Sequence, residues 1–311
     1  MGLFLTIDDA TSLFQRIQKT KIDVSEELRG WHYSEYPLRP PSSSKVSVGD
    51  LSLEFCSTGR LFYLRYVERK KEGKATTLIR GKFIHSIFSS AITVAKRVIL
   101  NESARDSSSF SATFQEEGKK VKQSLFNEYS LLAEEEGSEK LERIFDKIWS
   151  MASSTYSYQL DKTATRSPYL SLDGIASNVV PVLTEFPLDG TYLGFQKSIR
   201  VDAFLLPSLI VELKTREVRP EHKIGLAAYA MTFESLFYVP VDYVLLLNLR
   251  INKDATDLKV YEELVAISDS LRTATIEKRD NALKIVDDAV DPGKPEVCSK
   301  DCPFYEVCNK E

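Results

Sequence analysis

Apolar and polar positions recur along this chain with two different periods, and the switch between them marks the elements. Residues 76–100 repeat with the helical period. Stepping about 100° per residue from Ile84 puts Ile87, Phe88, Ala91, Ala95 and Val98 in one stripe, with His85 at its border beside Ile92. From Lys197 to Asn248 the pattern changes. The run IRVDAFLLPSLIVELKTR holds two strand-like segments around a Pro-Ser break, which predicts a β-hairpin turning at Leu206, Pro207 and Ser208. Beyond it, EHKIGLAAYAMTFESLF predicts a helix with His222 and Tyr229 near one face, and VDYVLLLNL predicts a buried strand.

The remaining segments read less sharply. Residues 1–30 predict short helices, with Asp8 or Asp9 as N-cap and a second amphipathic segment near Val24 to Leu28. WHYSEYPLRPPSSS predicts an extended surface segment leading to a strand-like VSVGDLSLEF, and His32 there has no carboxylate or cysteine beside it in sequence. TGRLFYLRYVERKK predicts a helix with Leu61, Tyr63, Leu64 and Val67 packed and the arginines outside. The serine-rich residues 101–118 predict a connector. Lys119 to Ser153 returns to helical spacing through Leu141, Ile144, Phe145, Ile148 and Trp149, and YSYQLDKTATRSPYLSL leads back toward strands. NVVPVLTEFPLDGTYLGFQKSIRVDAF predicts successive strands with a turn near Asp189 and Gly190. A helix is expected from about Tyr261 to Ala289, ended by DPGKPE.

The chemistry concentrates in the hairpin. In its expected register Asp202 lies opposite Glu212, and strand alternation puts Glu212 and Lys214 on the same face. Two carboxylates and an amine then share one spot on a face whose other members, Phe204, Leu206 and Ile210, are apolar. Charges in such a setting are costly to desolvate unless paired or bound to a metal. Carboxylate oxygens suit a hard divalent cation, Mg²⁺ or Mn²⁺, and a neighbouring lysine can orient a nucleophilic water or neutralise charge on a phosphate. The bland alternative is a solvated edge hairpin. Glu185, upstream, reads either as an outer carboxylate of this site or as an exposed strand residue.

Composition sets the frame. The chain has 311 residues, 43% hydrophobic and 28% charged, enough for one elaborate domain or two smaller ones. By this reading no apolar run approaches the ~20 residues of a membrane span, and acidic residues stand where a signal peptide needs a basic start, so the expectation is a cytoplasmic protein without a membrane partner. The net charge of −4 restricts any nucleic-acid contact to a local patch. Arg60, Arg65, Arg69, Lys70, Lys71, Lys74, Arg80 and Lys82, interleaved with Phe62, Tyr63 and Tyr66, offer one; a solvated helix end and loop is the alternative. Three of the four cysteines, Cys298, Cys302 and Cys308, lie in the last fourteen residues, far from Cys56. Their clustering suits a metal or cluster better than disulfides, with zinc, an iron–sulfur cluster of the 4Fe-4S type or unliganded thiols open. A shared group would staple the N-terminal segment to the C-terminus.

GKFIH, IRVDAF, VELKTR, a following helix with AAYA, an early cysteine and CSKDCPFYEVC together resemble the CRISPR-associated RecB-type nucleases. VSEELRGWHY, PLRPP and CSTGRLFYLRYV are similar to their archaeal branch. The likeness spans nearly the whole chain apart from residues about 101–165. It implies an α/β fold with a restriction-endonuclease-like mixed-sheet core flanked by helices, with an N-terminal region over 1–75, a nuclease core over 76–255 carrying a helical insertion at 101–165, and a C-terminal helix and three-cysteine region over 256–311. It implies that His85, Asp202, Glu212 and the carbonyl of Leu213 hold Mg²⁺ or Mn²⁺, that Lys214 activates water with Tyr229 nearby, and that Cys56, Cys298, Cys302 and Cys308 hold an iron–sulfur cluster. The implied activity is exonuclease action on single-stranded or frayed DNA alongside other CRISPR adaptation proteins, with Arg60, Arg65, Lys82, His222 and Lys223 as DNA contacts. One position departs: where the family helix usually carries glutamine four residues before the tyrosine, this chain has Gly225. Either His222 or Lys223 takes over that contact, or the protein is an attenuated DNA-binding scaffold.

Overall fold

The computed structural model describes all residues except 1, 54–55, 74–75, 102–105, 206–207, 299–301 and 311. The chain starts with helix α1 (Ile7–Lys19), capped by Thr6 with Asp9 reaching back to its backbone, so the cap lies two residues before the expected Asp8. Short turns follow, then α2 (Val48–Leu51) and α3 (Arg60–Phe62), the latter continuing as a π-helical turn over Tyr63–Val67. Next come α4 (Thr76–Leu100), α5 (Ser107–Glu128), α6 (Ser130–Glu136), α7 (Ser138–Arg166) and α8 (Leu172–Val179). The second half supplies β1 (Val182–Leu188), β2 (Ile199–Leu205), β3 (Leu209–Lys214), α9 (Pro220–Phe237), β4 (Tyr243–Ile251), β5 (Leu258–Ala266), α10 (Asp269–Asp288) and α11 (Tyr305–Lys310).

The five strands form one mixed sheet in the order β1-β2-β3-β4-β5, antiparallel except for the parallel pair β3–β4. A parallel pair needs a crossover, and α9 supplies it. Alternation along the strands then divides the core in two. Ala203, Leu205, Val211, Leu213, Leu245 and Leu247 face α4, α5 and α7 on one side; Phe204, Ile210, Val244 and Leu246 face α9 and α10 on the other. Helices thus cover both faces. Charged groups within the hairpin accordingly stand in a covered sheet and not on a wet edge.

Several expectations change. By length and composition α4 passes as a membrane span, contrary to the reading that no apolar run comes close; here its stripe of Ile84, Ile87, Phe88, Ala91, Ala95 and Val98 is buried against the sheet side of the helical layer. The serine-rich segment is helical from Ser107, held by an Asp106 cap that accepts from the Ser109 N–H. The four serines at 107–109 and 111 cost about 2 kcal/mol in helix propensity. Burying Phe110 and Phe114 completely returns about 3–6 kcal/mol. Burial decides. Likewise α7 runs on to Arg166 instead of turning toward strands, because Tyr156, Leu160 and Thr163 continue its buried face.

Of VSVGDLSLEF, residues 54 and 55 lie outside the described residues; the described ones form α2 and one isolated bridge, Val46 to Phe195, in place of the expected strand. The helix expected from Tyr261 begins only at Asp269. Residues 258–266 alternate instead, with Leu258, Val260, Leu264 and Ala266 packed on the core and Lys259, Tyr261 and Glu263 exposed, as a sheet edge requires. The sheet therefore extends beyond a core drawn to residue 255. His32, expected without a carboxylate, lies 3.1 Å from Glu26 and 3.4 Å from Glu35.

Candidate active site

The site forms where the central hairpin opens. Ladder pairing ends at Ala203↔Val211, and the same register continued by one residue brings Asp202 across from Glu212, as the sequence predicts. Of the expected turn, residues 206 and 207 lie outside the described residues; Ser208 is described. With the strands parting, the Leu213 N–H is free of a ladder partner and donates to Asp202 Oδ2 at 2.8 Å. Lys214 Nζ donates to Glu212 Oε1 at 2.7 Å. From α4, His85 brings Nδ1 to 3.0 Å from Asp202 Oδ1. All this sits at the carboxyl end of β3, next to the carboxyl end of β4, where ligand sites of open α/β sheets collect.

Two buried carboxylates so close repel. Burial and the charge of Asp202 push the Glu212 carboxyl up to about 7, although Lys214 opposes them. Burial also resists ionisation of Asp202, but the hydrogen bond and charge of His85 outweigh it and hold that carboxyl below its ordinary value. In return Asp202 raises the imidazole of His85 against its burial, so His85 donates. Glu212 raises the ammonium of Lys214 in the same way. Burial, with Glu212 and Asp202 adding to it, keeps the Tyr229 phenol protonated well above its usual range.

One atom is left over. Glu212 Oε2 is buried without a hydrogen-bond partner, a costly state that a cation bound there would relieve. Hard oxygen donors from Asp202, Glu212 and a strand carbonyl fit Mg²⁺ or Mn²⁺. Among the described residues no three His, Cys, Asp or Glu side chains already converge as a finished metal site, because Lys214 and His85 occupy the carboxylates.

The cluster opens into a cleft of about 790 Å³, lined by Arg65, Lys82, His85, Lys214, Arg216, His222 and Tyr229 among others. The basic run splits around it. Lys82 and Arg65 face the cleft, Arg65 turned inward onto Asp50 and paired with Glu72 at 3.1 Å, not left outside as its helical reading implied. Arg60 instead grips Asp291 with three bonds of 2.7–3.0 Å, and Arg80 pairs with Glu136. Lys74 lies outside the described residues. At the head of α9, His222 Nδ1 accepts from the Arg219 N–H at 2.9 Å while lining the cleft; Lys223 turns to Glu263 at 2.5 Å. Gly225 touches α2, where a Cβ would stand 2.2 Å from Ser52 Oγ. A longer side chain at position 225 would meet Ser52 and Val48.

Sequence reasoning passed over Asn248, whose amide donates to the carbonyls of Lys214 and Arg216 at 3.1 and 2.6 Å and fixes the chain leaving β3. A lone amide within the apolar run of β4 was its signal. Glu185 lies opposite Asp202 in the β1–β2 register with φ +50°, lines the cleft and sits 3.7 Å from Arg200.

The cysteines gather on the far side of the cleft wall. Cys302 and Cys308 are buried, Cys56 and Cys298 pack beside them, and no disulfide joins any of them. Burial, reinforced by the other three thiols, pushes Cys302 up to about 11. The C-terminal segment is tied to the front of the chain there: Thr58 Oγ1 donates to the Gly293 carbonyl at 2.7 Å and the Gly73 N–H to the Pro303 carbonyl at 2.8 Å. Four unpaired thiols in one place fit a thiophilic metal or cluster in donor chemistry, though they do not close on a common point.

No solved structure matches the chain. Among curated proteins it is 36% identical over 313 residues to a CRISPR-associated exonuclease Csa1 of Saccharolobus solfataricus, covering 99% of this chain and 100% of that one. It is 26% identical over 306 residues to the protein of the same name from Thermoproteus tenax, covering 98% and 99%. The profile of the family described as CRISPR-associated exonuclease Csa1 matches residues 3–311, and with near-complete coverage on both sides the chain belongs to that family.

Proposed function

We propose that the protein is a metal-dependent deoxyribonuclease that hydrolyses phosphodiesters at single-stranded or frayed DNA ends during acquisition of CRISPR spacers, on a RecB-type nuclease core. The observation that carries this reading is the parted hairpin, where Asp202, Glu212 and Lys214 meet His85 beside a cleft that Lys82, Arg216 and His222 help to line. Asp202, Glu212, His85 and the Leu213 carbonyl would hold Mg²⁺ or Mn²⁺. The bound ion would supply Lewis-acid stabilisation of the phosphate and acidify a water.

The chain's own groups do the rest. Lys82, Arg65, Arg216 and His222 draw in the strand and fix its phosphates. Lys214, anchored on Glu212, aims its remaining ammonium donors at the nucleophilic water and the phosphate oxygens. Tyr229, held protonated, serves as a neutral donor. Water adds to phosphorus as the bridging P–O bond breaks, without a covalent enzyme intermediate. Cys56, Cys298, Cys302 and Cys308 would hold a 4Fe-4S cluster or zinc that clamps the two ends of the chain behind the cleft. Other CRISPR adaptation proteins and a cytoplasmic setting complete the reading.

End-labelled single-stranded DNA incubated with Mn²⁺, with EDTA, and with the Asp202→Ala variant tests it. Cleavage that needs the metal and is lost in the variant, with folding intact, is expected. Wild-type cleavage by Asp202→Ala refutes the site, and DNA binding without cleavage turns the protein into a scaffold. Iron and zinc analysis of the same preparation decides what the thiols hold.

A further inference from the structure

A second groove, of about 260 Å³, leaves the cleft at Glu185, which lines both. Its walls are the outer face of α4, with Ser89, Ser90, Thr93 and Arg97; Val121 of α5; and Thr184 of β1. Resting on the nuclease reading above, we propose that this groove carries the DNA strand onward from the cleft, as a track for its phosphate backbone over α4.

Charge, continuity and length support one occupant. Although the chain carries 45 acidic residues, residues 76–100 contain neither Asp nor Glu, while Lys82 opens the exposed face of α4 in the cleft and Arg97 closes it at the far end of the groove. Hydroxyl and arginine donors are the groups that position a nucleic-acid backbone without reading its sequence. Arg97 is paired with Glu117 at 2.5 Å, but its side chain is 51% exposed, and an exposed pair of this kind yields readily to a phosphate. Across the mouth Glu185 lies 3.7 Å from Arg200, which moderates the carboxylate shared by cleft and groove. From His85 to Arg97 the helix advances about 18 Å, room for a few successive phosphates of one strand. A strand that fills only the cleft misses these contacts; a longer one gains them.

The test is fluorescence anisotropy in EDTA, so that binding is read apart from cleavage, with labelled oligothymidylates of about four and about twenty nucleotides. Thr93→Glu and Arg97→Ala alter exposed side chains and leave the core alone. Each is expected to lower the ratio of long-strand to short-strand affinity about tenfold, and Arg97→Ala to flatten the salt dependence of long-strand binding by about 0.7 in log–log slope. An unchanged ratio in both variants overturns the track. If the parent protein binds neither strand, the nuclease reading itself fails and the inference falls with it.

Discussion

The glycine at position 225 offers the sharpest check on how the cleft is built. Replacing it with alanine adds one methyl 2.2 Å from Ser52 Oγ, while Ser52 Cβ at 3.5 Å and Val48 Cγ1 at 3.8 Å stay in ordinary contact. Only the hydroxyl must move. Turning it away breaks its 3.2 Å bond to the Val48 carbonyl, costing about 1 kcal/mol. Alanine inside a helix returns about 1 kcal/mol relative to glycine. Gly225→Ala alone should therefore change stability by less than about 1 kcal/mol. In a Ser52→Ala background the obstacle is gone, and the same substitution should stabilise by the full ~1 kcal/mol. Urea midpoints for the four proteins of the cycle, at constant m, give the coupling directly. A coupling near zero would refute the proposed contact between α2 and α9. Gly225→Gln, whose longer side chain must pass Ser52 and Val48, should cost about 1–3 kcal/mol in either background.

Two further substitutions test the frame around the site. Arg272 and Glu234 are both fully buried and joined by bonds of 2.7 and 2.8 Å, so Arg272→Met, which leaves Glu234 with Arg29 as its charged partner beside the N–H groups of Gly30 and Val241, should lose about 3–5 kcal/mol in urea unfolding; a loss below about 1 would show the pair to be dispensable. His32 has its imidazole raised by the Glu26 hydrogen bond, with Glu35 adding to it. A raised folded-state value contributes stability that is complete below the unfolded value of about 6.5 and fades as pH rises through the folded one. His32→Asn should accordingly lower the urea midpoint at about pH 5.5 and leave it unchanged at about pH 9, and equal effects at both would refute the pairing.

What could be read in advance depended on where polarity met its surroundings. Asp202, Glu212 and Lys214 stood out because each interrupts an apolar strand pattern, and the pairing of β2 with β3 needed only alternation and a turn. His85 showed in the pattern only as the polar border of an apolar stripe, and its place in the site came with the family resemblance. The basic run was not legible. Its arginines sit in a polar stretch that offers no contrast, and their fates are set by partners remote in sequence: Asp291 for Arg60, Glu136 for Arg80. β5 was lost because the apolar Tyr261 falls at an exposed position and Glu262 at a half-buried one, and the chain resumes as α10 three residues after the strand ends. The serine run hid α5, since propensity counts every serine while burial counts Phe110 and Phe114. Gly225 is the instructive case. Its meaning as a departure is visible only beside a family pattern, and its close contact only beside Ser52, which sets lost chemistry against a filled contact. The two differ in what they predict: a decayed site binds DNA and leaves it whole, whereas a repacked helix still presents His222 and Tyr229 to a cleft that cuts.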